Sequence, residues 1–305
     1  MRVFLFLLLC VIVILVPRYS VLAGNKNSSG KALLLNAFGT SHPQARVAIE
    51  CSYETARKTF PGIEVRLAFS SREIRRILTQ KYHERIDSPI MALTRLADDG
   101  YREVAVQPLH VLPGIEFHEL VHTVAGFRSM RDNHDQPVFS HLTIGKPLLT
   151  SEKDFRLVAQ SLRKDIAAYA GNKESALVLM GHGSHHASNA AYSMLNAILQ
   201  DEYGKNVCVG TIGKYPTISD LMPTLKQAGT RKITLMPFML VAGDHARNDM
   251  AGDGEDSWKS ILVQHGFEVH SVIKGLGENE GIISIYIEHA RHAFNAMGQK
   301  ECTWK

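Results

Sequence analysis

The chain predicts an α/β protein built as two similar Rossmann-like halves, each a parallel sheet flanked by helices, with a cleft between them. Three observations carry this. Short apolar runs of strand length alternate with stretches of ten or more residues at helical spacing, the pattern of βαβ units. Some of those runs end abruptly in glycine, which lets the backbone turn at a strand's carboxyl end, where ligands bind in open α/β sheets. The second half also repeats the first: Ala32 to His42 (A-L-L-L-N-A-F-G-T-S-H) lies over Ala176 to His186 (A-L-V-L-M-G-H-G-S-H-H) at an offset of 144. Val104 to Gly114 lies over Ile233 to Gly243 at an offset of 129, aligning Pro108 with Pro237. The smaller second offset implies a deletion between the two pairs, which loops absorb readily.

Taken in order, the chain opens with Arg2, an apolar run from Val3 to Val16, and Val21-Leu22-Ala23 before Gly24. This is the layout of a cleaved secretory signal over residues 1–23, too short for a comfortable membrane span, and it predicts a periplasmic or secreted mature protein. Residues 24–30 read as a polar linker. The first half, 31–150, then offers a strand over 31–38, a helix from Pro43 to about Phe60, a strand over 63–69, helices over 71–80 and 89–99, a strand over 103–108, a helix over 114–130 and a strand over 138–144. Pro43 suits a first helical turn. The second half, 151–280, offers an amphipathic helix over 151–169, a strand over 176–180, a helix over 187–200, a strand over 206–212, a helix over 219–228, a strand over 231–240, a polar loop over 241–249, a helix over 258–264 and a strand over 268–273. A closing helix within 281–305 is expected to pack back on the first half.

Bulk properties exclude several classes. The full chain of 305 residues carries a formal charge of +4, and removal of residues 1–23 takes two arginines and no acid, leaving +2. That is too little to argue for nucleic acid. Cys51, Cys208 and Cys302 would remain, with no close pair for a disulfide framework or zinc knuckle. There is no G-x-x-x-x-G-K-[ST] phosphate loop and no G-x-S-x-G elbow.

The chemistry is expected at Leu177 to Ala187, where an apolar run ends in Gly181-His182-Gly183 and two further histidines. His245 lies beyond the end of another strand of the same half, so both imidazoles would rise on one sheet edge. Imidazole binds divalent first-row metals and accepts protons near neutrality. Two histidines leave coordination positions open, as a site that hands its metal on requires. The competing metal motif is H118-E-L-V-H122, the H-E-x-x-H pattern of zinc proteases, but no third histidine follows within Val124 to Met130. The face bearing His118 and His122 could hold a metal or a heme iron, with His122 as the candidate heme ligand. K-G-L-G-E-N-E-G (274–281) has the wrong spacing for a dinucleotide loop and reads as a turn with helix-capping acids.

Four of these segments, G-H-G-S-H-H (181–186), M-P-F-M-L-V-A-G-D-H-A-R-N-D-M-A-G (236–252), L-H-V-L-P-G-I-E-F-H (109–118) and K-G-L-G-E-N (274–279), resemble the anaerobic sirohydrochlorin cobaltochelatases, relatives of protoporphyrin ferrochelatase. The resemblance covers nearly all of the mature chain. It implies two chelatase-type domains around a tetrapyrrole cleft and ATP-independent insertion of Co(II), with Fe(II) as a second metal. By motif match His182 becomes metal ligand and proton acceptor, and His245 the second ligand. Expected substrate contacts are Phe38, Gly39, Thr40, His110, Lys214, Tyr215, Met239 and Arg247, and the cations Arg46, Lys214 and Arg247 are expected to meet the macrocycle's carboxylates. The family pattern often carries an acid before Tyr215-Pro216, where this chain has Gly213. Gly213 and the export signal favour a second reading, an envelope carrier of metal or heme on a chelatase scaffold. The expected partner is sirohydrochlorin or a related tetrapyrrole, with no nucleic acid; a homo-oligomer is compatible with the chain.

Overall fold

The computed structural model describes residues 30–298, so the expected leader, most of the linker and Cys302 lie outside the described residues. In the first half run β1 (Lys31–Ala37), α1 (Val47–Thr59), β2 (Glu64–Phe69), α2 (Arg72–Tyr82), α3 (Pro89–Asp98), β3 (Glu103–Pro108), α4 (Ile115–Ser129) and β4 (His141–Ile144). Then follow α5 (Glu152–Ser161), α6 (Arg163–Tyr169), β5 (Ser175–Gly181), α7 (Ala190–Tyr203), β6 (Val207–Thr211), α8 (Ile218–Gln227), β7 (Lys232–Pro237), α9 (Trp258–Gln264), β8 (Glu268–Ser271) and α10 (Glu280–Asn295).

The strands form two four-stranded sheets in the orders β2-β1-β3-β4 and β6-β5-β7-β8, parallel throughout. The order is the same, and so is the register. Lys31 pairs with Glu103, and Ser175 with Lys232, which is one pairing seen through the offsets of 144 and 129. Leu33 opposite Val65 likewise corresponds to Leu177 opposite Val207. The duplication read from the sequence is thus a duplication of backbone pairing.

Parallel strands covered on both faces read as unbroken apolar runs, and β1, β3, β5 and β7 are buried along almost their whole length. Leu33 and Leu35 share one apolar core with Leu177 and Leu179, together with residues of α1, α5, α7 and α10, so this core joins the two halves. On the opposite faces, Leu34 and Val106 pack under α3 and α4, and Val178 and Leu235 under α8 and α9. The last helix, α10, lies against β3, β4, α1 and α5. It is pinned there by Tyr286, whose hydroxyl donates to the carbonyls of Leu109 and His110, each at 3.2 Å. His289 adds a buried contact to Asp154 at 3.1 Å and donates from Nδ1 to the Lys146 carbonyl at 3.0 Å.

Helix starts follow capping chemistry. Ser71 and Ser88 accept from the backbone three residues on, and Ser151 with Asp154 and Thr217 with Asp220 form reciprocal capping boxes. Two elements differ from expectation. The helix expected over 151–169 is interrupted at Leu162, giving α5, which packs on α7 and α10, and α6, which packs on β5. The stretch 241–249, expected as a loop, winds from Asp244 into a turn of π-helix over Ala246–Met250. Ala246 and Met250, four residues apart and both fully buried, hold that turn to the body of the second half. Both described cysteines, Cys51 and Cys208, are free, and burial pushes the Cys208 thiol up to about 11. No helix among the described residues is long and apolar enough to cross a membrane.

Candidate metal and macrocycle site

The site grows from the ends of β5 and β7, which are neighbours in one sheet. Beyond β5 the chain turns through His182 and Gly183, whose φ is +80° and whose Cβ, if present, would lie 3.1 Å from the Thr211 side chain. Only glycine fits such a turn without strain. Gly181 is equally constrained: a Cβ there would sit 2.4 Å from the ring of Tyr192. Tyr192 is buried beneath the turn, its phenol oxygen held by the backbone of His182 and Gly183, and burial pushes its pKa up to about 12. Asn189 ties this turn to the next loop, accepting from Ser184 N–H at 2.8 Å and donating to the Tyr215 carbonyl at 2.8 Å.

His182 and His245 meet. Their ring centroids are 4.9 Å apart with the planes at 74°. A carbonyl oxygen can only accept, so the contact of His182 Nδ1 with the Gly183 carbonyl at 2.9 Å places the ring proton on Nδ1 and leaves the Nε2 lone pair free. His245 Nδ1 faces the carboxylate of Asp249 at 2.5 Å, which fixes the same tautomer. A carboxylate behind a histidine is the usual support of a metal-binding imidazole. Both residues are exposed. Among the described residues no three His, Cys, Asp or Glu side chains converge on one point, so the pair is an open site rather than a closed cage.

The other expected contacts divide. Phe38 and Tyr215 are exposed, at 49% and 69%, and offer flat apolar surface. Arg247 is exposed on the turn that carries His245, and Lys214 is half-buried. Neither makes an ion pair among the described residues. Gly39 and Thr40 are buried in the β1 turn; Thr40 is spent on accepting His42 N–H at 3.1 Å. Met239 is half-buried, and its carbonyl accepts from Leu276 N–H at 2.8 Å. His110 has both ring nitrogens buried without partners, and burial drives its pKa down to about 4 against a smaller upward pull from Glu116. The structure corrects the expectation for Arg46: the side chain is buried and bound to Glu84 at 2.6 Å, so it is unavailable to a substrate carboxylate.

The H-E-x-x-H pair lies on α4 with His118 and His122 both exposed. His118 meets the ring of His186, with centroids 5.0 Å apart and the planes tilted at 49°. Gly213, where an acid was looked for, is exposed at φ +67° with no heavy atom within 4 Å of a Cβ built there. The sequence reading missed Asp249, Asn189 and Tyr192. The His245/Asp249 spacing of four residues was the available signal for the first, because four residues bring side chains together on a helical turn.

Comparison with known proteins bears on the family and the fold. The cobalt chelatase (CbiK) family profile matches residues 31–295. The sirohydrochlorin cobaltochelatase CbiKC of Nitratidesulfovibrio vulgaris strain Hildenborough is 36% identical over 268 residues, covering 88% of this chain and 92% of that protein. The sirohydrochlorin cobaltochelatase of Salmonella typhimurium strain LT2 is 36% identical over 267 residues, covering 87% and 97%. Among solved structures, SirB from Bacillus subtilis with Fe3+ superposes with a TM-score of 0.56 at 16% identity, covering 88% of this chain and 98% of that one. DR2241 from Deinococcus radiodurans, a multi-domain protein with similarity to chelatases, gives a TM-score of 0.53 at 16% identity, covering 89% and 56%. At that identity the two structures show the shared fold.

Proposed function

The chain belongs to the cobalt chelatase (CbiK) family, and from that premise we propose that it inserts Co(II) into sirohydrochlorin without ATP, using His182 and His245 as the ligands that deliver the ion. The observation that carries this assignment is the convergence of the two imidazoles at 4.9 Å with each Nδ1 already engaged. Both Nε2 lone pairs are therefore available to one ion.

Insertion exchanges one divalent cation for two pyrrole protons. Each imidazole that gives up the ion recovers an Nε2 lone pair, so two ligands released match two protons to be accepted. The pair is suited to hold the metal at the macrocycle's face and to take up those protons as the ion moves to the pyrrole nitrogens. His182 is the first acceptor in this reading, and the Asp249 carboxylate stabilises the imidazolium formed at His245. Phe38 and Tyr215 supply surface for the flat ring, and Arg247 and Lys214 supply cations for its carboxylates. Imidazole suits Co(II), Fe(II) and Ni(II) alike, so the ligand set alone does not choose the metal. Export of the mature chain is part of the proposal, supported by Arg2, the apolar run to Val16 and Val21-Leu22-Ala23; fractionation of cells with an antibody to the chain tests it.

Gly213 favours a second reading, a carrier that binds metal or metallated macrocycle without turnover. Anaerobic mixing of the mature protein with sirohydrochlorin and Co(II), followed in the visible spectrum, separates the two. Many turnovers per chain support insertion. A signal that stops at one equivalent supports the carrier.

A further inference from the structure

The duplication supplies its own control for a second histidine. Thr40 Oγ1 accepts the N–H of His42 at 3.1 Å, and Ser184 Oγ accepts the N–H of His186 at 3.1 Å. His42 and His186 thus occupy one place in two copies of the same turn, 144 residues apart. Each turn crosses to the opposite half: Gly243 lies beside Thr40 and His42, and Gly114 lies beside Ser184 and Ser188. What each imidazole finds there differs. His42 Nε2 faces Asp244 Oδ1 at 3.7 Å. The residue 129 positions before Asp244, in the equivalent place of the first half, is Ile115, which is 49% exposed. The ring that His186 meets instead is His118.

His186 has a defined tautomer. Its Nδ1 accepts the N–H of Ser188 at 3.1 Å, so the neutral ring carries its proton on Nε2, at the other side. That same geometry argues against a metal here, since the nitrogen free of backbone contacts has no lone pair to give. Glu116 has its Oε2 close to Gly114, yet among the described residues neither His186 nor His118 pairs with it or with any other carboxylate. One copy of the turn has its acid built in; the other presents an N–H donor beside an exposed imidazole with the acid's place taken by isoleucine.

We propose that His186, with His118 beside it, binds one peripheral carboxylate of the tetrapyrrole, in the role that Asp244 plays for His42. The proposal rests on the chelatase reading and adds to it what the rim of the substrate meets. His186 shares its turn with His182, so a carboxylate held there contributes affinity for the same macrocycle that lies over the metal pair. The contact bridges the two halves, and it selects tetrapyrroles with free carboxylates at the rim.

Titration of the metal-free mature protein with sirohydrochlorin, read by visible absorption, tests this together with initial rates of Co(II) insertion. His186→Phe and Ile115→Asp are each expected to weaken macrocycle binding about tenfold and raise KM to match, the loss of one hydrogen bond to a charged group. In Ile115→Asp the new side chain occupies the donor, and exposure of Ile115 makes the change tolerable to the fold. Turnover at saturation and Co(II) affinity should stay as in the unsubstituted protein, and the permethyl ester of the macrocycle should bind all three proteins alike. Unchanged sirohydrochlorin binding in both variants, or a fall in kcat with KM preserved, overturns the carboxylate site while leaving the chelatase reading in place. Failure of the unsubstituted protein to bind sirohydrochlorin overturns that reading, and the carboxylate site with it.

Discussion

His110 should make the protein acid-sensitive by a calculable amount. Its two ring nitrogens are buried without partners, and burial holds its pKa at about 4 against an ordinary value of 6.5. Between those two values the unfolded chain binds a proton that the folded chain refuses, so stability falls as pH drops. Above 6.5 the ring is neutral in both states, and below about 4 it is charged in both; the loss is confined to that window. A difference of roughly two and a half pH units corresponds to about 3 kcal/mol, a large share of the stability of an ordinary domain. Urea unfolding of the protein at pH 7 and at pH 4.5, compared with His110→Leu, measures it. The variant should lose about 2.5 kcal/mol less stability over the interval, the share of the window that lies above pH 4.5. At pH 7 it should be little destabilised, since it removes buried polar atoms that have no partner. Equal pH dependence in the two proteins would mean that His110 protonates inside the fold, and the burial argument would fail.

Three further outcomes follow from the site. His182→Ala should abolish insertion, whereas Glu119→Gln, which removes the acid of the H-E-x-x-H pattern, should leave the rate unchanged; the visible-spectrum assay reads both. Asp249→Leu should weaken Co(II) binding by about 10-fold to 100-fold, because the His245 ring loses the carboxylate that orients it, and equilibrium dialysis against Co(II) measures this. Arg46→Met should leave KM for the macrocycle unchanged and lower the unfolding midpoint, since it strands Glu84 by breaking a buried pair worth about 3 to 5 kcal/mol to disrupt.

The parts of the molecule that the sequence made legible are those governed by local pattern. β1, β3, β5 and β7 are buried on both faces and announce themselves as apolar runs, and the twin offsets reveal the duplication of the halves, which the matched pairing of Lys31 with Glu103 and of Ser175 with Lys232 carries into the backbone. His182 and His245 could be brought together on paper because β5 and β7 are sheet neighbours whose ends share an edge. What stayed hidden depends on distant partners. Arg46 looked like a free cation until Glu84, 38 residues on, was seen to bury it. The turn at Ala246–Met250 is set by two apolar residues in a polar stretch that reads as loop. The meeting of His118 with His186 depends on how the halves close on each other, which no periodicity encodes.

One metal ion should be shared by the Nε2 atoms of His182 and His245. X-ray absorption at the cobalt edge, on the protein loaded with one equivalent of Co(II) under anaerobic conditions, reads the ligands of the ion. Two imidazole ligands should appear in the unsubstituted protein, falling to one in both His182→Ala and His245→Ala. An unchanged imidazole count in either variant would place the ion elsewhere.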